Sequence, residues 1–114
     1  MRNHQDCIDA CLHCAQECEH CANACLTEDD VNGRGDCIRM HRDCAAMCWL
    51  TAGALSRESR FSEEICQLCG EMCEICAVEC ERFYDEHCQY CAEACRRCAD
   101  ECLRVAGVAA IPLP

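Results

Sequence analysis

Basic charge and aromatic side chains are scarce in this sequence of 114 residues. Lys and Arg number 10 against 21 Asp and Glu, the formal net charge is −11, and aromatic residues make up only 4%. Without a basic patch and interleaved aromatic residues the chain has no means of binding nucleic acid, and its negative charge disfavours an anionic membrane surface. Cations are the partners that such a charge favours.

Long apolar stretches are missing as well. The longest segment without a charged residue, CAAMCWLTAGALS at 44–56, is too short to cross a bilayer. The first residues, MRNHQDC, lack the apolar region of a secretory signal, so we expect a cytoplasmic protein whose thiols stay reduced. The length predicts one domain with a single core.

Patterns of haem attachment, ferredoxin clusters and catalysis are also absent. In CLHC and CEHC the histidine lies between the cysteines, which excludes the C-x-x-C-H haem motif, and no ferredoxin run closes with proline. No Ser/His/Asp set or pair of carboxylates has the arrangement of a catalytic site. We therefore expect a protein that is not an enzyme.

Cysteine is what the chain has in excess, with 19 residues. The stretch CIDACLHCAQECEHCANAC, residues 7–25, places six of them at steps of 4, 3, 4, 3 and 4. These are the steps of the a and d positions of a heptad, where a helix normally buries Leu or Ile. The pattern predicts a helix whose buried face is lined by thiols.

Polar joints rich in glycine or charge divide the chain into helical segments. The segments lie at about 3–27, 36–56, 62–83 and 86–106. Because short connections make successive helices antiparallel neighbours, the predicted fold class is all-α, an antiparallel up-down-up-down four-helix bundle with a cysteine-lined core. The bundle is expected to occupy residues 1–106, and residues 107–114 to form an apolar C-terminal tail.

Residues at the segment ends are of the types that stop and start helices. Asn3, Asp36, Ser62 and Asp85 are predicted N-caps. Gly107 is the predicted C-terminal cap of the last helix, and the prolines of the tail cannot continue it.

The cysteine rhythm recurs in every segment, so we expect all the thiols to face one core. The predicted ligands are Cys7, Cys11, Cys14, Cys18, Cys21, Cys25, Cys37, Cys44, Cys48, Cys66, Cys69, Cys73, Cys76, Cys80, Cys88, Cys91, Cys95, Cys98 and Cys102. Antiparallel alignment stacks the core positions in six layers of four, 19 of them cysteine. One terminal layer contains Cys25, Cys37, Cys80 and Cys88, the next contains His41 or Met40, and the opposite terminal layer contains Cys7, Leu55, Ser62 and Val105.

Packing alone explains such a core poorly. Small thiols in place of Leu and Ile lose stabilisation from apolar burial, on the order of a kcal/mol or more per position.

A disulfide scaffold is disfavoured because the cysteine count is odd and the cysteines lie in helical sequence. A thiol–disulfide redox protein stays an alternative, although cysteines four residues apart on one helix make poor disulfides. Soft thiolates otherwise select Cu(I), Zn(II) or iron–sulfur clusters, and the clusters need loops around them.

Charge balance separates copper from zinc. Four or five Zn(II) ions, each with four ligands, would leave about nine buried thiolate charges uncompensated. One Cu(I) per thiolate gives a neutral core. Cu(I) accepts two or three sulfur ligands, and each C-x-x-x-C pair on one helix face offers two neighbouring thiols. The residues therefore favour multiple Cu(I) ions, roughly one per cysteine, with a zinc or mixed-metal thiolate buffer as the alternative.

Several motifs also resemble those of a known family. The repeated C-x-x-x-C-x-x-C pattern, GDCIRM at the start of the second segment, EICQLCGEMCEICAVEC and EHCQYCAEACRRCADEC are similar to the bacterial copper storage proteins of the cytosolic type. The similarity extends to about Leu103. It implies a Cu(I)-filled four-helix bundle, homotetrameric, that stores or sequesters copper through its nineteen cysteines.

Candidate ligands besides the thiols cluster at one end of the predicted bundle. His41, His87 and Met40 lie near the terminal cysteines, and imidazole and thioether are Cu(I) ligands, so we expect copper to be taken up at this end. The remaining histidines are expected on solvated helix faces; they are His4, His13 and His20.

The other end is expected to be apolar. Leu55, Phe61 and Val105 are predicted to form a hydrophobic plug there, covered by the tail after Gly107.

Overall fold

The structure, a computed structural model, describes residues 4–108 and consists of four α-helices joined by short connections. The helices are α1 (Gln5–Cys25), α2 (Gly35–Ser56), α3 (Ser62–Cys80) and α4 (Glu86–Ala106). One turn of 3₁₀ helix, Val31–Gly33, precedes α2, and the described residues contain no strand. The predicted all-α bundle is confirmed, with helix bounds within three residues of those expected over the described part of the chain.

The ends of the helices are where the local predictions fail. Asp36 and Ser62 are not N-caps, because α2 and α3 begin after Arg34 and Phe61, and neither start has a side-chain cap. Asp85 does stand at the N-cap of α4, but its carboxylate binds Arg34 instead of the helix N-terminus. The predicted cap at position 3 lies outside the described residues.

The C-terminal cap of α4 follows the prediction. Gly107 has a left-handed φ of 73°, and its N–H donates to the carbonyl of Arg104 at 3.1 Å. The next N–H, from Val108, donates to Leu103 at 2.9 Å, which completes a Schellman-type end. Helix α3 ends three residues earlier than expected, since the N–H of Phe83 turns back to the carbonyl of Cys80.

The helices pack in a closed ring in which α1 contacts α2 and α4, and α3 contacts the same two neighbours. Buried alanines on the flanks of the cysteine face, such as Ala15, Ala45 and Ala77, keep the helices close together. Helices α3 and α4 approach so closely at Gly70 that a Cβ there would lie 2.7 Å from the side chain of Leu103.

The core is made of thiols. Every cysteine is at most 1% exposed, and none forms a disulfide. His41 is fully buried in the position that the pattern left without a cysteine, whereas Met40 is only partly buried at the edge of the core. Thr51 and Leu55 are also buried, as the layers predict, so the alternation of core and flank positions holds along α2.

None of the helices within the described residues combines the length and the hydropathy needed to cross a membrane.

Candidate metal centre

The thiols approach one another mainly across helix interfaces. Between α1 and α4 the Sγ atoms lie 3.6 Å apart in Cys7–Cys102 and Cys11–Cys102, and 3.7 Å apart in Cys14–Cys95 and Cys18–Cys95. Between α2 and α3 they lie 3.7 Å apart in Cys44–Cys73 and Cys48–Cys73. The Sγ atoms of Cys48 and Cys98, 3.9 Å apart, connect the two rows across the bundle.

Pairs within one helix are no closer than these. The Sγ atoms of Cys14 and Cys18 are 3.9 Å apart, those of Cys98 and Cys102 are 3.9 Å apart, and those of Cys69 and Cys73 are 4.0 Å apart. The C-x-x-x-C pairs predicted from the sequence are thus neighbours in the structure, at nearly the same distances as the pairs across helices. A sulfur in this core has partners on its own helix and on a neighbour, so one thiolate can bridge two ions.

Groups of four possible ligands lie within 4.8 Å of one another. They include Cys11/Cys69/Cys98/Cys102, Cys14/Cys44/Cys48/Cys73, Cys14/Cys18/Cys44/Cys95, Cys18/Cys76/Cys91/Cys95 and Cys21/Cys25/His87/Cys88. Most of these groups combine neighbouring layers of the predicted stack. Side chains on a helix lean towards its N-terminus, so those of antiparallel helices lean in opposite directions and their sulfurs interleave.

His41 lies inside the thiol network. Its Nε2 atom is 3.1 Å from the Sγ of Cys80, its Nδ1 atom is 3.4 Å from the Sγ of Cys37, and Nδ1–H donates to the carbonyl oxygen of Cys37. Contacts with Cys80 and with His41 lower the pKa of Cys37 to about 5. Burial alone would lower the pKa of His41, but its thiol partners raise it. The contacts between the two residues thus favour a positive charge on His41 and a negative charge on Cys37.

His87 lies at the same end, nearer the surface. Its Nδ1 atom is 3.2 Å from the Sγ of Cys21 and 3.6 Å from that of Cys88, while its Nε2 atom is 2.9 Å from a carboxylate oxygen of Glu28. The structure therefore brings both predicted histidines to the cysteines. It does not do so for Met40, which packs against the flank of the core.

Arg34 is a site residue that sequence reasoning missed. It is 4% exposed, its Nε atom donates to Asp30 at 2.6 Å, and it also donates to Asp85. One terminal nitrogen lies 3.6 Å from the Sγ of Cys25 and 3.6 Å from that of Cys88. The sequence shows only a single arginine within the acidic segment TEDDVNGRGD. That composition is typical of an ordinary loop between helices, so it does not indicate a buried side chain.

Burial outweighs the charge of Arg34 at the two thiols beside it and raises the pKa of both. Burial raises the pKa of Cys25 to about 11, and the hydrogen bond from Arg34 only partly opposes this. Burial also raises the pKa of Cys88. Metal binding at this end must therefore release thiol protons.

The opposite end is not the plug that was predicted. Leu55 is buried, but Phe61 is 58% exposed because it precedes α3 and turns outward, and Val105 is only partly buried. Among the described residues this end has a surface cavity lined by His4, Gln5, Asp6, Cys7, Glu101, Arg104 and Val105. The tail expected to cover it lies, from residue 109 onward, outside the described residues.

The other predicted histidine positions agree with expectation. His4, His13 and His20 are exposed, and His13 and His20 lie on the outer face of α1.

A protein-family model described as "Copper storage protein" matches residues 1–107. The chain is 43% identical over 74 residues to an uncharacterized cysteine-rich protein, YhjQ, of Bacillus subtilis, a match that covers 65% of this chain and 68% of that protein.

Solved structures of copper storage proteins are similar over most of the chain. The metal-free copper storage protein 3 of Bacillus subtilis superposes with a TM-score of 0.82 at 41% identity, covering 90% of this chain and 97% of that one. A cytosolic copper storage protein of Streptomyces lividans, in a structure with five coppers, superposes with a TM-score of 0.88 at 40% identity, covering 94% of each chain.

Proposed function

The chain belongs to the copper storage protein family, and we propose that it stores or sequesters Cu(I) as thiolate complexes of its nineteen core cysteines. The observation that carries this proposal is the continuous thiol network. All the cysteines are buried and free, and fourteen of them have a sulfur 3.6–4.0 Å from another cysteine sulfur on the same or a neighbouring helix. Such a network suits Cu(I), which takes two or three sulfur ligands and tolerates bridging thiolates.

Sharing of sulfurs argues for copper over zinc. Cys14, Cys18 and Cys44 each belong to two of the groups of four, so neighbouring groups cannot each hold a separate tetrahedral Zn(II) ion with its own ligands. One Cu(I) per thiolate also leaves no net charge in the core, whereas zinc would leave thiolate charges buried and unpaired. We expect a capacity of roughly one ion per cysteine.

The test is an anaerobic titration of the reduced protein with Cu(I) and, separately, with Zn(II), each against a competing chelator. We expect tight Cu(I) binding to approach one equivalent per cysteine and Zn(II) to saturate at about four or five ions. Tight zinc binding with copper saturating at the same number would favour the zinc buffer instead. A chain with all thiols alkylated serves as the control.

A thiol redox function has less support. The thiols are at most 1% exposed, so an external disulfide cannot reach them without opening of the bundle. We propose no catalytic activity. A redox role would be favoured only if oxidised glutathione formed mixed disulfides with the folded protein at the rate of an exposed thiol.

His41 and His87 are proposed as additional ligands at the end of the bundle that contains Cys25 and Cys88. Their ring nitrogens lie 3.1 Å from Cys80 and 3.2 Å from Cys21, which is compatible with a shared Cu(I) after small movements. Met40, partly buried beside His41, is the weaker third candidate.

We propose that the protein is cytoplasmic and forms a homo-oligomer, a tetramer by similarity to its family. Support for association comes from apolar side chains on the adjacent helices α2 and α3, where Leu50, Leu68 and Ile75 are 51%, 50% and 54% exposed. Native mass spectrometry tests this: Leu68→Glu should dissociate the oligomer, and Leu12→Glu on α1 is the matched control. A monomeric wild-type protein would contradict the proposal.

A further inference from the structure

The buried guanidinium of Arg34 lies among groups that the copper network would use. Its terminal nitrogen is equally close, at 3.6 Å, to the sulfurs of Cys25 and Cys88. Both cysteines belong to the group of four ligands completed by Cys21 and His87. A protein cation thus contacts the two sulfurs between which a cargo cation would bind.

Three further contacts hold the guanidinium in this place. It donates to Asp30, in the connection after α1, and to Asp85, at the start of α4. It lies over the ring of Phe83, with 4.3 Å from its central carbon to the ring centroid. Hydrogen bonds to charged partners are the strong ones, and here they join the α1–α2 connection to the α3–α4 connection through one side chain.

We infer that Arg34 is a displaceable counter-cation that gates the Cys21/Cys25/His87/Cys88 site. In the metal-free protein it contacts the sulfurs and covers this end of the core. A Cu(I) ion cannot occupy the same position, both because the space is filled and because two positive charges repel. The ion therefore binds as the guanidinium turns away from the two sulfurs, and it leaves by the reverse movement. This inference rests on the proposed copper function.

The gate predicts an effect on rates and little effect on capacity. Removing the side chain opens the site, removes a repelling charge and frees two carboxylates that attract Cu(I). Because opening no longer requires breaking charge-assisted hydrogen bonds, we expect Arg34→Ala to accelerate both Cu(I) loading and Cu(I) removal by a chelator on the order of tenfold. The number of ions bound at saturation should stay within about one of the wild type, because Arg34 supplies no thiolate.

The experiment compares three proteins by stopped-flow absorbance of the Cu(I)–thiolate bands, with bicinchoninate as the chelator. Arg34→Ala is the test, and Arg96→Ala is the matched control, since Arg96 makes an exposed ion pair with Glu81 at 2.7 Å on the outside of the bundle. We expect wild-type rates for the control. Wild-type rates for a folded Arg34→Ala would overturn the gate.

Two further measurements keep the inference testable if Arg34→Ala does not fold. Asp85→Asn retains the guanidinium but weakens its anchor, and it should accelerate loading by an intermediate factor. A crystal structure of the wild type with one or two equivalents of Cu(I) should place the guanidinium away from both sulfurs wherever the site is occupied. An ion in the site with both 3.6 Å contacts retained would overturn the gate. Failure of the wild type to bind Cu(I) at all would instead overturn the proposed function.

Discussion

At the end of the bundle that contains Cys25 and Cys88, a buried guanidinium joins two loops through carboxylates, whereas in the half of the bundle towards Cys7 helices α3 and α4 pack closely at Gly70 and Leu103. The first end depends on charge. The second depends on shape, since α3 and α4 approach at Gly70 with no space for a further carbon atom. Changes of charge should therefore act mainly at one end and changes of volume at the other.

The largest expected difference concerns ion pairs at the two ends. Asp85→Asn leaves the buried Arg34 with one carboxylate and should lower the free energy of unfolding of the metal-free protein by about 2 kcal/mol. Asn is as good an N-cap residue as Asp, so this substitution tests the ion pair separately from the helix cap. Arg104→Ala, which breaks an exposed pair with Glu101 at the other end, should cost at most about 0.5 kcal/mol. Equal losses in urea unfolding would contradict this comparison.

A change of volume should act where α3 and α4 pack closely. Gly70→Ala places a methyl group 2.7 Å from the side chain of Leu103, and we expect a net loss of about 1–2 kcal/mol in the free energy of unfolding despite the better helix propensity of Ala. Gly53→Ala is the control, because its new Cβ meets only the mobile end of Arg57. That variant should be neutral or slightly more stable. Unchanged stability of Gly70→Ala would show that Leu103 moves at little cost.

The pH dependence of the metal-free protein should reveal the buried thiols at the charged end. Burial raises the pKa of Cys25 to about 11 and also raises that of Cys88, whereas an unfolded thiol titrates near 8.5. The folded state then holds protons that the unfolded state loses, so stability is fully present below about pH 8.5 and falls as pH rises through 11. Cys37, with its pKa lowered to about 5, affects stability only below this window.

We expect Cys25 alone to account for a decline of about 1 kcal/mol between about pH 8.5 and 9.5, measured by urea unfolding under reducing conditions. Cys25→Ala should make the decline shallower. Stability that rises with pH over the same range would be inconsistent with neutral buried thiols.

The smallest expected effect is on copper uptake through the histidines. Replacing His41 and His87 by Ala should slow Cu(I) loading by about threefold or change which ions bind first, and it should leave the final stoichiometry within about two ions. The double variant His13→Ala/His20→Ala, on exposed positions, is the control. A wild-type rate in the first variant, together with uptake abolished when Val105→Trp blocks the cavity at the other end, would move the site of uptake there.

Most of the fold could be predicted because its signals are local and repeated. Steps of three and four between cysteines define a buried face, and the glycine-containing and charged joints mark where each helix stops. The helix starts were less predictable. Asp36 and Ser62 are good cap residues by type, yet the N-caps of α2 and α3 lie two residues and one residue earlier, and the carboxylate of Asp85 binds Arg34. Cap residues have alternative partners, and only the folded chain decides among them.

The candidate site divides in the same way. Periodicity alone identified the nineteen buried thiols, because a residue every 3.5 positions along a helix returns to the same face whatever packs against it. Which sulfurs meet was decided by tertiary structure, since oppositely leaning side chains on antiparallel helices interleave the layers. The position of the Arg34 guanidinium was also decided by tertiary structure. Its partners are separated from it by 4 to 54 residues along the chain, and only the packed bundle brings them to one guanidinium.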